Sequence, residues 1–276
     1  MPASITDSTL RFGARAGAYA RARPGYPDPA VAALAHALKL AAGAIVVDLG
    51  CGTGLSSEAL LRAGFRVIGV EPNEAMRSHA SRLLSTYPGF CVVDGRAEST
   101  GLEAACADLV IAAQAFHWFD VEATRDEALR ILRRPPLAAL IWNDRRSEGS
   151  AFARGYEELL LRFSTDYLEI QHRHTRPDRV AQFFGKERWG TITTAHSTPL
   201  DFDTLAARLN SASYVPAPDD SRHVPMMEGL RALFAATARE GVVSMEFETR
   251  ILFGEIEPRP PAPAPAPRAS LPSPPK

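Results

Sequence analysis

Several things are scarce in this chain of 276 residues, and each scarcity closes off a class of function. There are three cysteines, Cys51, Cys91 and Cys106, at no ligand spacing, so reduced thiols are expected and neither a disulfide framework nor a metal site. Lysine occurs only at Lys39, Lys186 and Lys276, with arginine in its place, which reads as a genomic bias without functional meaning. The formal net charge of −1 gives no electrostatic reason to expect nucleic acid or an anionic membrane as a partner. No apolar run approaches membrane-spanning length. The opening residues Met1-Pro2-Ala3-Ser4 lack the basic start and apolar core of a signal peptide. A soluble, cytoplasmic monomer or homodimer is therefore expected. No G-K-[S/T] sequence occurs, which removes a Walker-type phosphate loop.

What is present is concentrated in Val46-Val47-Asp48-Leu49-Gly50-Cys51-Gly52-Thr53-Gly54. Residues 44–47 read as a buried parallel strand. The strand runs into a turn with glycine at alternate positions, and a helix begins at Leu55. Glycine lets the backbone turn tightly and approach a ligand where a Cβ would collide. The free amides of the helix start then face whatever is bound. A second strand, residues 65–70, ends in Glu71, 23 residues after Asp48. A carboxylate at that distance can accept both hydroxyls of a ribose, so an adenosine-containing cofactor is expected. A dinucleotide would require G-x-G-x-x-G beneath its pyrophosphate. Here Leu55 stands where the third glycine would fall, which counts against a nicotinamide-dependent oxidoreductase.

Strand and helix signals alternate from residue 44 onward, giving an α/β fold with a parallel sheet covered on both faces. Strands are expected at 90–93, 108–113 and 137–142, with helices at 73–85, capped by Asn73, and 120–132. Beyond Asn143 the alternation lapses: 149–163 is helical, 165–190 is mixed, and two long strands at 191–202 and 243–253 flank a helix at 224–239. From Pro258 the chain is dominated by proline and alanine and is expected to be a disordered tail, residues 258–276.

The run Asp48-Leu49-Gly50-Cys51-Gly52-Thr53-Gly54 resembles motif I of the class I S-adenosylmethionine-dependent methyltransferases. Val67-Ile68-Gly69-Val70-Glu71-Pro72-Asn73-Glu74-Ala75-Met76 is similar to motif II of that family. The phrase Phe116-His117-Trp118-Phe119 resembles the methyltransferase-11 and trans-aconitate methyltransferase-like group. The resemblance implies a Rossmann-like seven-stranded sheet with the last strand antiparallel, one domain over residues 1–257, and an acceptor cap at about 145–190, after strand five. It implies S-adenosylmethionine as the cofactor, held by Asp48, Gly50, Cys51, Gly52, Thr53 and Gly54 of the first motif and by Glu71, Pro72 and Met76 of the second. Met76 reads equally as core. Arg96, Ala97 and Glu98 follow strand three, where the family contacts the adenine; an ordinary solvated loop is the competing reading. Gln114, after strand four, is a further cofactor contact. The N-terminal stretch, with Tyr19, Arg23, Pro24, Tyr26 and Pro27, looks familial, and there Tyr19 and Arg23 are placed at the methionine end of the cofactor. His117, Trp118 and Asn143 are the candidate acceptor residues, and His117 is the candidate base, if it is not simply a packed residue beside Trp118. His172 and His174 read as surface residues of the cap. The sequence lacks the [Asp/Asn]-Pro-Pro-[Tyr/Phe] tetrapeptide of nucleic-acid amino methyltransferases, which favours a small-molecule acceptor. One departure stands out: Arg133-Arg134-Pro135-Pro136 replaces the family's Pro-Gly-Gly turn, so this loop differs or strand five begins sooner. A non-catalytic adenosylmethionine-binding protein and an aminopropyl transferase would keep the same cofactor residues.

Overall fold

The computed structural model describes residues 25–165, 167, 176–212 and 214–258. Tyr19, Arg23, His172, His174 and the proline-rich tail from Arg259 on lie outside the described residues. The elements run α1 (Asp28–Ala37), β1 (Ile45–Leu49), α2 (Leu55–Arg62), β2 (Arg66–Val70), α3 (Glu74–Leu83), β3 (Phe90–Val93) and β4 (Ala107–Ala113). After these come a 3-10 turn (Phe116–Trp118), α4 (Val121–Ile131), β5 (Leu132–Arg145), α5 (Ala151–Phe163), α6 (Pro177–Phe184), β6 (Gly190–Leu200), α7 (Phe202–Ser211), α8 (His223–Thr237) and β7 (Val243–Glu255).

The strands form one seven-stranded sheet in the order β3-β2-β1-β4-β5-β7-β6. β1, β2, β3, β4 and β5 are mutually parallel. β7 is antiparallel to both of its neighbours, β5 and β6. This is the Rossmann-like arrangement that the motif resemblance implies. Reversal of strand order on either side of β1 opens a crevice at the carboxyl ends of β1 and β4, the place where such sheets bind ligands. Burial explains the strand chemistry. β1, Ile-Val-Val-Asp-Leu, is covered on both faces and therefore reads as continuous apolar residues. The edge strand β6 alternates between half-buried and exposed positions, as a strand with one solvated face does.

Two apolar clusters cover the faces of the sheet. One joins Val47, Val110 and Trp142 to α4 and α6 through Ala128, Ile131, Phe183 and Phe184. The other joins Val46, Leu109 and Ile141 to α1 and α2 through Val31, Leu34, Leu60 and Leu61. A third cluster lies beyond the carboxyl edge. It gathers α5, α7, α8 and the start of β7 around Tyr156, Leu160, Leu205, Met226, Leu230 and Phe247. This cap therefore draws on residues far apart in sequence.

The departure at the prolines has a clear outcome. Strand five begins sooner, at Leu132, and its register jumps from Ala107↔Leu132 to Leu109↔Leu137. Pro135 and Pro136 sit within that irregularity, where no ladder N–H is required of them. Arg133 secures the bulge by donating to Asp108 Oδ1 at 2.7 Å and to the Ala105 carbonyl at 3.2 Å.

Candidate active site

The glycine turn between β1 and α2 is built by left-handed backbone. Gly50, Gly52 and Gly54 have φ of +65°, +56° and +91°, a region that costs any residue with a Cβ about 1–2 kcal/mol. The amides of Gly50 and Cys51 both donate to the Val70 carbonyl, at 2.8 and 3.3 Å, which fixes the turn against the tip of β2. Glu71 stands at that tip, 7% exposed. Its Oε2 accepts from the Gly52 amide and its Oε1 from the Asn73 amide, both at 2.9 Å. Burial raises the Glu71 carboxyl above its ordinary range, and the two amides and Arg77 oppose this. Arg77 clamps the same tip by donating to the carbonyls of Glu71 and Pro72 at 2.9 and 2.7 Å and to Asp94 at 3.1 Å. The sequence reading did not single out Arg77; its signal is a basic residue one helical turn past the Asn73 cap.

Asp48 is completely buried. Its Oδ2 accepts from the hydroxyls of Ser56 and Ser57 at 2.6 and 2.7 Å. Oδ1 has no partner among the described residues. These serines, the first polar residues after the turn, were also not anticipated. Burial pushes the Asp48 carboxyl up to about 6 from an ordinary 3.8, outweighing the two serine bonds that lower it. Between those values the folded state keeps a proton that the unfolded state has already released, so stability falls as pH rises through that window. Scanning calorimetry of the ligand-free protein from pH 4 to 7.5 is expected to show this fall, and Asp48→Asn to remove its share of it. A variant whose profile is as steep as the wild type's would refute the assignment. Cys51 is a packing residue here: burial, with the Asp48 and Glu71 carboxylates, holds its thiol well above the ordinary range.

On the far side of the turn, Met76 is buried, with its sulfur 3.8 Å from the position a Cβ on Gly52 would take. Pro72 precedes the Asn73 cap, whose side chain accepts from the Met76 amide at 3.1 Å. Ala97 is buried between Arg96 and Ser99, which form an isolated bridge. Arg96 is largely exposed and lies 3.5 Å from Glu98. Glu98 also accepts from the Asp120 amide at 2.9 Å, which ties this loop to the start of α4.

The tip of β4 carries the remaining residues. Gln114 has a φ of +56°. Its amide donates to the Ile141 carbonyl at 2.9 Å and its Nε2 to the Asn143 carbonyl at 3.0 Å. Asn143 donates from Nδ2 to the Gly25 carbonyl at 3.1 Å and accepts from the Thr249 hydroxyl at 2.5 Å. Gln114 and Asn143 thus hold the tips of β4 and β5 and the middle of β7 to the segment that precedes α1. In the 3-10 turn, Phe116 is buried against Phe183 and Trp142, at ring separations of 5.4 and 6.5 Å. This anchor leaves His117 half-buried and Trp118 exposed, with their rings 4.8 Å apart. Arg179 of α6 braces the loop by donating to the Phe119 carbonyl at 2.7 Å. Among the described residues no helix is long and apolar enough to cross a membrane. Nor does any group of three or more His, Cys, Asp or Glu residues there suit a metal ion.

A family model described as a methyltransferase domain matches residues 47–135, the span from β1 to the start of β5. An uncharacterized methyltransferase of Mycobacterium tuberculosis is 30% identical over 249 residues, covering 90% of this chain and 97% of that protein. The chain belongs to the methyltransferase family. A solved structure assigned as a type II methyltransferase from Anaeromyxobacter dehalogenans is 26% identical, with a TM-score of 0.61 and coverage of 86% of this chain and 99% of that one. A methyltransferase attributed to an antibiotic biosynthesis pathway of Anabaena variabilis shares the fold at 19% identity and a TM-score of 0.56, covering 84% of this chain and 98% of that one.

The cofactor of this methyltransferase is S-adenosylmethionine, and the residues present suit it. The face of Gly52 is open, since a Cβ there would meet only the Met76 sulfur, at 3.8 Å. A carboxylate has about four acceptor sites, so Glu71 can take two ribose hydroxyls beside its two amides. Asp48 Oδ1 is a buried acceptor without a donor among the described residues, and a cationic ligand would favour the ionised form that burial opposes.

Proposed function

We propose that this methyltransferase transfers a methyl group to a small-molecule acceptor by in-line displacement. The observation that supports this reading is the apolar cap of α5, α7 and α8, which packs against β6 and β7 at the side of the sheet where β5 ends. The cofactor, when bound, supplies an electrophilic methyl group on a positively charged sulfur whose departure needs no proton. The work left to the chain is binding, alignment and exclusion of water, which can supply much of the rate enhancement. Glu71 and the glycine turn hold the nucleoside end; we assign Met76, Arg96, Ala97 and Glu98 to the adenine side and Asp48 to the methionine end. The loop 114–119 presents His117 and Trp118 to the acceptor, with Gln114 and Asn143 keeping the strand tips in place.

A base is needed only when the acceptor loses a proton on attack, as a hydroxyl or an acidic carbon does. We assign that role to His117, whose loop is held by the Phe116–Phe183 contact and by Arg179. His117→Ala is expected to lower kcat on such an acceptor by about 100-fold or more while leaving affinity for S-adenosylhomocysteine within twofold. Retained turnover in the variant would remove His117 from the base role. The reading as a whole is tested by calorimetric titration with S-adenosylhomocysteine, followed by an acceptor screen that detects released S-adenosylhomocysteine. Binding without turnover on any acceptor would instead favour a non-catalytic adenosylmethionine-binding protein.

A further inference from the structure

The 3-10 turn that carries His117 and Trp118 is held at both of its ends by one side chain. Arg179, on α6, places its guanidinium over the Phe116 ring, 5.8 Å from its centre, at the first residue of the turn. Its Nη2 donates at 2.7 Å to the carbonyl of Phe119, the residue that follows the last. His117 and Trp118 are the two residues between those points. One helical turn on from Arg179, Phe183 packs edge-on against the same Phe116 ring at 5.4 Å. The two side chains, at i and i+4, therefore present one face of α6 to the turn. Gln182, between them, donates to Glu122 at 3.0 Å and so ties α6 to α4 rather than to the turn.

The same loop also meets the cofactor side of the crevice. A Cβ on Gly50 would stand 2.9 Å from the Ala115 Cβ and 3.3 Å from the Phe119 ring. The Asp120 amide donates to Glu98 at 2.9 Å. The loop is thus packed against the glycine turn and fastened to α6, a helix that lies outside the motifs.

A hydrogen bond from an ionised donor is roughly twice as strong as one between neutral groups, and a cation within about 6 Å of a ring centre is attracted to the ring face. Arg179 supplies both to a turn of three residues, which has little packing of its own. Its side chain is half-buried and borders a groove of about 600 Å³ shared with Asp120, Glu122 and Gln182. Water in that groove can solvate whatever a substitution leaves behind, so loss of the guanidinium frees the turn without unfolding the chain. We propose that Arg179 is a positioning residue of the acceptor site: from α6 it sets the turn that presents His117 and Trp118, and it takes no part in holding the cofactor. This rests on the reading above of the loop 114–119 as the acceptor loop.

The test reads Trp118 itself, in the full chain. Acrylamide quenching of the emission is measured for each protein and for its Trp118→Phe counterpart, and the difference isolates Trp118 among the three tryptophans. Arg179→Met keeps an apolar stem against Phe116 and removes the donor. It is expected to raise the quenching constant of Trp118 about twofold or more, as a locally released segment does. Arg179→Lys keeps a cationic donor and is expected to restore at least half of that difference. Gln182→Ala breaks the neighbouring tie from α6 to α4 and should leave the Trp118 signal as it is in the wild type. Affinity of Arg179→Met for S-adenosylhomocysteine, by calorimetry, is expected to stay within about twofold. An unchanged Trp118 signal in Arg179→Met, an equal rise in Gln182→Ala, or no recovery in Arg179→Lys would each overturn the proposal. So would an Arg179→Met protein that fails to fold, since the role of Arg179 would then be stability alone. A loss of S-adenosylhomocysteine affinity beyond tenfold would overturn it too, by placing the effect at the cofactor. The quenching measurements need no cofactor, so failure of S-adenosylhomocysteine to bind the wild type would sink the methyl-transfer reading separately.

Discussion

Glu71→Ala is expected to weaken S-adenosylhomocysteine binding by about 1–3 kcal/mol, roughly five- to 150-fold, the worth of two hydrogen bonds to a charged acceptor. The same carboxylate also accepts from the Gly52 and Asn73 amides, so it shapes the turn as well as taking the ribose in the proposed role. Two variants separate these contributions. Glu71→Gln keeps an oxygen for one amide but places a second donor where the other amide points, so it too is expected to bind poorly. Asn73→Ala leaves the carboxylate in place and removes the cap on the Met76 amide, at about 1 kcal/mol of stability, with little loss of affinity. Titration of the three variants checks this. Wild-type affinity in Glu71→Ala would mean that the ribose lies elsewhere.

The legible parts of this chain were those where local chemistry and fold agree. Asp48 to Gly54 and Glu71 could be placed because a glycine turn after a buried strand has few alternatives, and their geometry follows the spacing closely. Strand order and the antiparallel β7 followed from the resemblance rather than from periodicity. Less visible were the elements of the cap. The alternating β6 was readable, but α7, directly after it, was not expected; its start is signalled only by Asp201 accepting from the Thr204 amide. The early start of β5 was hidden because two prolines normally argue against a strand, and only a register jump accommodates them. Pairings distant in sequence left no local trace. Arg208 meets Phe247 and Met245 only once α7 closes over β7. Gln114 and Asn143 look like ligand residues in a linear reading, yet they also serve as bolts between neighbouring strands.

Two glycines of the turn should respond differently to the same substitution. Both have positive φ, so Gly50→Ala and Gly52→Ala carry a similar backbone strain, about 1–2 kcal/mol. Their surroundings differ. A Cβ at Gly50 would stand 2.9 Å from the Ala115 Cβ and 3.3 Å from the Phe119 ring, inside the loop that carries His117. Overpacking of that kind adds about 1–3 kcal/mol. Gly50→Ala is therefore expected to lower the melting temperature by roughly 5–15 °C in a chain of this size. At Gly52 the nearest atom is the Met76 sulfur, at 3.8 Å, so the protein itself has room for a methyl group. On the proposed reading that space belongs to the cofactor. Gly52→Ala should melt only a few degrees lower, from strain alone, while losing affinity for S-adenosylhomocysteine on the order of 100-fold, because the ligand then meets the overlap. The difference between the two melting temperatures isolates the packing of the donor turn against the acceptor loop. If Gly50→Ala melted no lower than Gly52→Ala, the two loops would not be in contact. If Gly52→Ala bound S-adenosylhomocysteine as the wild type does, the open face of that glycine would not be where the cofactor lies.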